Sequence, residues 1–220
     1  NRVKLANSVD DLVVATTDDP ADDIIATVCQ ELGTAVFRGE QYDVLDRVYQ
    51  AIRPYQPDVV VRLTADCPLL DPHLIDNVVH LLIDNQLDFA ANRLPPPWKR
   101  TFPIGLDVEA CTYAGLQKGW QEASEGYERE HVMPYFYDVE GRFNIAVLQT
   151  EPDYGHLRWT VDTQADLDLI REIYCRIADK DNYSWKDILS IVEEDPSLAQ
   201  INANIKAKVT QDVDERSVKK

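Results

Sequence analysis

Two carboxylates stand where apolar runs end. Residues 58–63 form the clearest strand pattern in the chain, rich in β-branched side chains, and Thr64-Ala65-Asp66-Cys67-Pro68 follows. Parallel α/β sheets bind ligands at the carboxyl ends of their strands. Asp66 is therefore placed to hold Mg²⁺, which takes one or two carboxylates together with substrate phosphates. An Asp capping its own turn is the alternative. Residues 157–161 read as another strand, and Asp162-Thr163-Gln164-Ala165-Asp166 comes next. Asp162 just ahead of a helix fits a plain N-cap, and on local grounds that reading leads. Two strand-end acids in one sheet can nevertheless share one metal.

Other polar groups carry weaker signals. Arg38-Gly39-Glu40 follows a short apolar run, and Asp46-Arg47 opens the next helical pattern; a solvated helix start explains them by itself. His73 and His80 share a helix face with Asp76, opposite the apolar stripe, which reads as solvated surface. Glu128-Arg129-Glu130-His131 lies in an aromatic stretch and reads as an amphipathic surface helix. The sequence contains no GxSxG, HExxH, GxGxxG or Walker lysine loop, so Ser-His-Asp catalysis has no anchor.

The elements that must position these residues alternate. Strand patterns at 12–17, 35–37, 58–63 and 87–90 are separated by helical patterns. Asp19-Pro20 and Asp71-Pro72 open two of these helices. Ile24, Ile25, Val28 and Leu32 are the expected core stripe of the first, and Gly33 stops it. This order implies a parallel sheet with helices on both faces. Leu94-Pro95-Pro96-Pro97-Trp98 is a rigid extended loop. Strands are expected at 107–111 and 143–149, and helices at 113–123, 127–137, 163–178 and 185–194. One domain over 1–205 fits best, with a lobe around 92–156 and a polar tail at 206–220.

The chain has 220 residues, 22 Lys plus Arg against 39 Asp plus Glu, and a net charge of −17. Such a chain repels nucleic-acid backbones, so binding to DNA or RNA is not expected. A triphosphate ligand would need a local site with a metal ion or a few well-placed bases. No apolar run reaches the roughly 18 residues of a membrane span. The four cysteines, Cys29, Cys67, Cys111 and Cys175, form no CxxC pair and read as thiols of a reducing cytoplasm.

In series, the segments resemble one family. They are Asp10-Asp11-Leu12-Val13-Val14-Ala15-Thr16-Thr17; Phe37-Arg38-Gly39 with Asp43-Val44-Leu45-Asp46-Arg47; and Val61-Arg62-Leu63-Thr64-Ala65-Asp66-Cys67-Pro68-Leu69. Gly105-Leu106-Asp107-Val108-Glu109, Tyr127-Glu128-Arg129-Glu130-His131-Val132 and Leu157-Arg158-Trp159-Thr160-Val161-Asp162-Thr163 complete the set. They look like the cytidylyltransferases that make CMP-sugars, nearest the spore-coat polysaccharide type and related to the acylneuraminate and KDO enzymes. The resemblance runs over residues 1–205. It implies a three-layer α/β/α nucleotide-diphospho-sugar transferase fold with a mainly parallel sheet. It also implies CTP and a sugar acid as substrates, Mg²⁺ as cofactor, and a homodimer, which the aromatic 127–137 segment supports weakly. By position, Asp66 and Asp162 match the metal acids. Arg38, Asp46, Arg47 and Thr64 fall on the nucleotide side, and Gly105, Asp107, Glu109, Arg129, Glu130 and His131 on the sugar side. The family opens with a strand and a phosphate-cradling loop of the form Q-A-R-x-x-S-x-R-L-P-x-K. The chain starts past that loop, so an unfilled central position beside the strands at 12–17 and 58–63, and little turnover by this chain alone, are expected. A glycosyltransferase of the same type of fold would show a DxD-like motif where Asp66-Cys67-Pro68 stands. A non-catalytic module that kept the fold is the other alternative.

Overall fold

The computed structural model describes residues 2–205, and the tail expected at 206–220 lies outside them. In chain order the strands are β1 (Val13–Thr17), β2 (Ala35–Gly39), β3 (Val59–Arg62), β4 (Phe89–Ala91), β5 (Glu109–Thr112) and β6 (Ile145–Val147). The α-helices are α1 (Asp23–Glu31), α2 (Val44–Ile52), α3 (Pro72–Asp84), α4 (Tyr113–Glu122), α5 (Gly126–His131), α6 (Pro134–Tyr137), α7 (Gln164–Arg176) and α8 (Trp185–Glu194). Their starts follow from local chemistry. The Asp71 carboxylate accepts from the His73 amide at 2.8 Å, and Pro72 occupies the first helical position, where its missing N–H costs nothing. Thr163 and Ser184 open α7 and α8 with reciprocal bonds to Asp166 and Asp187.

β1 and β2 form a parallel pair, and β3-β5-β4-β6 form a second sheet. β4 and β6 are parallel, but β5 runs antiparallel to both β3 and β4. The expected mainly parallel sheet is thus mixed. β5 is reached from β4 through the long 92–108 excursion, which reverses the chain, and not through a helical crossover. Among the described residues β1 pairs only with β2 and β3 only with β5, so each carries one unpaired edge, as expected for those two strands.

The four-stranded sheet is buried on both faces, and residue alternation shows it. Ala90 and Ala110, with Val59 and Val61, join Leu74, Ile75, Val78, Trp159, Ile173 and Ile188 on the side of α3, α7 and α8. Val60, Phe89, Ala91 and Cys111 pack with Leu45, Leu116, Met133 and Phe136 on the side of α2, α4 and α6. Three of the four aromatics of 127–137 belong to this second cluster, and Tyr127 does not. Tyr135, Phe136 and Tyr137 are buried, so they provide no exposed surface for a partner copy. The helix expected across 127–137 is broken in two at Val132, which has φ +72° just ahead of Met133-Pro134.

Two further expectations are corrected. Ile24 on α1 and Leu32 just past its end are 70% and 54% exposed, and Ile25 and Val28 are exposed with them. The periodicity located a helix, but its stripe faces outward. No residue from 10 to 43 belongs to either apolar cluster. The strand expected at 157–161 is a single parallel bridge, Ile104 to Arg158, because Val161 donates instead to the Asp66 carbonyl at 2.9 Å. His73 and His80 are exposed as read, whereas Asp76 is buried and accepts from the amides and side chains of Asn7 and Ser8.

Candidate active site

The carboxyl ends of β3 and β4 share one edge with the start of β5, since Arg62 and Ala91 both stand opposite Glu109. Charged groups collect there. Arg62 and Glu109 pair at 2.6 Å. Asp107 receives a fork from Arg100 and lies 3.6 Å from the Arg93 Nε. Buried Asn92, next after β4, holds the 105–108 loop by donating to the Leu106 carbonyl at 2.6 Å and accepting the Val108 amide at 2.9 Å. Asp107 and Glu109 are thereby presented at the strand ends.

Asp66 sits on the turn after β3, with Thr64 exposed beside it. Its carboxylate does not cap that turn. Oδ2 accepts from the Thr160 hydroxyl at 3.1 Å, and Oδ1 lies 3.5 Å from the Cys67 thiol. Burial pushes that thiol up to about 12, and the Asp66 and Asp107 charges act in the same direction. Asp162 is not an N-cap either: Thr163 caps α7, and Asp162 is 54% exposed with one carboxylate oxygen on Arg158. The Val161 amide to Asp66 carbonyl bond joins the two acidic turns although their acids are 96 positions apart in sequence. Gly105 makes this possible. At φ +102° its backbone lies against the Trp159–Thr160 peptide, where an added Cβ would be 2.5 Å from the Thr160 nitrogen. Its role is close approach of two chains.

Other expected site residues make contacts within the fold. The Arg38 guanidinium bonds the carbonyls of Thr17 and Asp19 and the Asp23 carboxylate. Asp46 accepts the Trp120 indole N–H at 2.7 Å, and Trp120 stacks on Tyr49 at 4.3 Å. Arg47 donates to the carbonyls of Glu40 and Gln41, and burial holds its pKa below the ordinary value. Arg129 grips Asp43 with a bidentate fork and donates to the Trp120 carbonyl, which fastens α5 to the start of α2. Glu130 and His131 flank it, half-buried.

Sequence reasoning missed Arg62, Arg93, Arg100 and above all Arg158. Its Nε and Nη2 fork onto fully buried Asp166 at 2.9 and 3.1 Å, and Nη2 also reaches Asp162. Burial would raise the Asp166 pKa, but bonds from Arg158, Asn202, the Asp162 amide and Thr163 hold it well below the usual carboxylate range. An arginine inside an apolar run, four and eight residues ahead of acids, was the available signal.

A mixed sheet between two helical layers, with acids at its carboxyl edge, is a nucleotide-diphospho-sugar transferase fold, and the chain belongs to the cytidylyltransferase family, whose model matches residues 1–207. It is 36% identical over 217 residues to an uncharacterized protein of Methanocaldococcus jannaschii, covering 97% of this chain and 86% of that one. It is 29% identical over 193 residues to the spore coat polysaccharide biosynthesis protein SpsF of Bacillus subtilis, covering 86% of this chain and 78% of that one. A solved cytidylyltransferase from Leptospira borgpetersenii serovar Hardjo-bovis superimposes with a TM-score of 0.84 at 31% identity, over 94% of this chain and 84% of the other. The CMP:2-keto-3-deoxy-manno-octonic acid synthetase complexed with CTP shares the fold, with a TM-score of 0.57 at 16% identity over 80% and 85% of the two chains. No helix among the described residues is long and apolar enough to cross a membrane.

Proposed function

We propose that this cytidylyltransferase moves CMP from CTP onto a hydroxyl of a sugar acid destined for a surface polysaccharide, releasing pyrophosphate, with Mg²⁺ held by Asp66 and Asp162. The observation that carries the reading is the Val161–Asp66 backbone bond, which sets two acidic turns side by side at the strand ends. The donor set fits: two oxygen ligands with free lone pairs suit a hard cation that completes its shell with water and phosphate oxygens. Bound there, Mg²⁺ would neutralise phosphate charge and lower the pKa of the attacking hydroxyl. The chain's own residues do the positioning. Thr160 fixes the Asp66 carboxylate, and Arg158 fixes that of Asp162. Arg93, Arg100 and Arg62, each beside an acid, line the same edge where an anionic substrate would lie. Positioning and electrostatics then supply most of the rate, with no covalent intermediate on the protein.

The test is pyrophosphate release by the full-length protein from CTP, Mg²⁺ and a panel of sugar acids. Asp66→Asn keeps the size and removes the charge, and should lower kcat by about 100-fold or more, since each ~1.4 kcal/mol is tenfold. Near-normal turnover in that variant removes Asp66 from the metal site. Release with neutral sugars and not with sugar acids overturns the substrate class.

A further inference from the structure

One stretch of chain holds both acids. Thr160 Oγ1 donates to Asp66 Oδ2 at 3.1 Å, and two residues earlier Arg158 Nη2 donates to Asp162 Oδ2. Arg158 itself cannot swing. It is 9% exposed, and its Nε and Nη2 are forked onto Asp166, which is fully buried. Asp166 in turn accepts from Asn202 Nδ2 at 2.8 Å and from the amides of Asp162 and Thr163 at 3.1 and 2.9 Å. Asn202 closes the loop by donating to the Arg158 carbonyl at 3.0 Å. Asp166 therefore fixes Asp162 twice, directly through its amide and through Arg158 at its carboxylate.

An exposed Asp on a turn samples several rotamers. This one has an oxygen tied to a planar donor that is locked by a buried partner, so the second oxygen has one available direction. A guanidinium fork supplies that direction, which an ammonium point charge does not. We propose that Arg158 is a positioning residue that orients Asp162 so that a single carboxylate oxygen, the one turned away from Arg158, is offered to the divalent cation. This rests on the reading of Asp162 as a metal ligand. It goes further in assigning the orienting group and a one-oxygen mode of binding.

The experiment titrates the full-length protein with Mn²⁺ alone and counts free Mn²⁺ by electron paramagnetic resonance. The proteins are the wild type, Asp162→Asn, Arg158→Lys, the double variant and Asp162→Glu, with near-ultraviolet circular dichroism to confirm packing. Arg158→Lys should weaken Mn²⁺ binding about tenfold in the wild-type background and leave it unchanged in the Asp162→Asn background, because the arginine acts through that carboxylate. A purely structural arginine would give the same loss in both backgrounds, and that result overturns the proposal. Should Arg158→Lys not fold, Asp162→Glu decides. It sits at an exposed position, keeps the charge and moves the carboxylate out of register with Arg158. A loss of about tenfold supports the proposal, and wild-type affinity overturns it. Unchanged Mn²⁺ binding by Asp162→Asn is a separate outcome that overturns the metal reading of Asp162 itself.

Discussion

Asp166→Asn is the sharpest perturbation of the network behind the site. Asp166 Oδ1 accepts from Arg158 Nε and Asn202 Nδ2, and Oδ2 from Arg158 Nη2, the Asp162 and Thr163 amides and the Thr163 hydroxyl. Every neighbour is a donor. An asparagine must aim its NH₂ at donors whichever way it turns, and it leaves the Arg158 charge without its buried partner. Removing one member of a buried pair costs about 3–5 kcal/mol. In a domain of this size each kcal/mol is about 2–4 °C, so Tm at pH 7 should fall by roughly 6–20 °C. The pH dependence carries a definite sign. Asp166 has a folded-state pKa below its unfolded value, so its contribution is complete above the unfolded pKa and declines as pH falls toward the folded one. The gap between wild type and variant should therefore be constant from pH 6 to 8. It should narrow by about 1.4 kcal/mol per pH unit below pH ~4. Urea melts of both proteins at pH 7 and pH 3 measure this. A gap of equal size at the two pH values, or a Tm change under about 3 °C, would refute the reasoning.

Two other outcomes follow from the geometry. Gly105→Ala brings a Cβ to 2.5 Å from the Trp159 carbonyl carbon and the Thr160 nitrogen at φ +102°, so it should lower stability by at least about 2 kcal/mol in urea melts. At pH 8 iodoacetamide should label exposed Cys175 first. Cys67, whose thiol burial raises to about 12, and buried Cys111 should react only after unfolding, as peptide mass mapping would show.

Helix starts were legible in the sequence because capping is local: Asp71-Pro72 announces α3, and the Asp162–Asp166 stretch announced α7 although its cap proves to be Thr163, one residue on. The strand-end rule pointed to Asp66 after β3 and, through a strand that is only a bridge, to Asp162, and the Val161 to Asp66 bond joins their two turns. What failed depended on partners far along the chain. Leu157, Trp159 and Val161 alternate like a strand, yet the chain there is taken by Ile104 on one side and the Asp66 carbonyl on the other. Residue type gave no means of separating an arginine that reaches a ligand from one that clamps backbone. Arg38 and Arg129 bond backbone carbonyls, and Arg158, hidden in an apolar run, lies beside Asp162. For α1 the pattern showed which residues are apolar and not whether anything covers them.

The outward stripe of α1, with both apolar clusters drawn entirely from outside residues 10–43, bears on how the molecule breathes. A segment that adds almost nothing to the interior has a low free energy of local opening, well under that of global unfolding. Amides of β1 and β2 should then exchange with solvent deuterium long before those of β4 and β5, which lie between two packed layers. Such an opening would carry off Thr17, Arg38 and Gly39 while Asp66, Thr160 and Asp162 kept their places. On warming, the β1–β2 pair would therefore come apart at a lower temperature than the joined turns that carry Asp66 and Asp162.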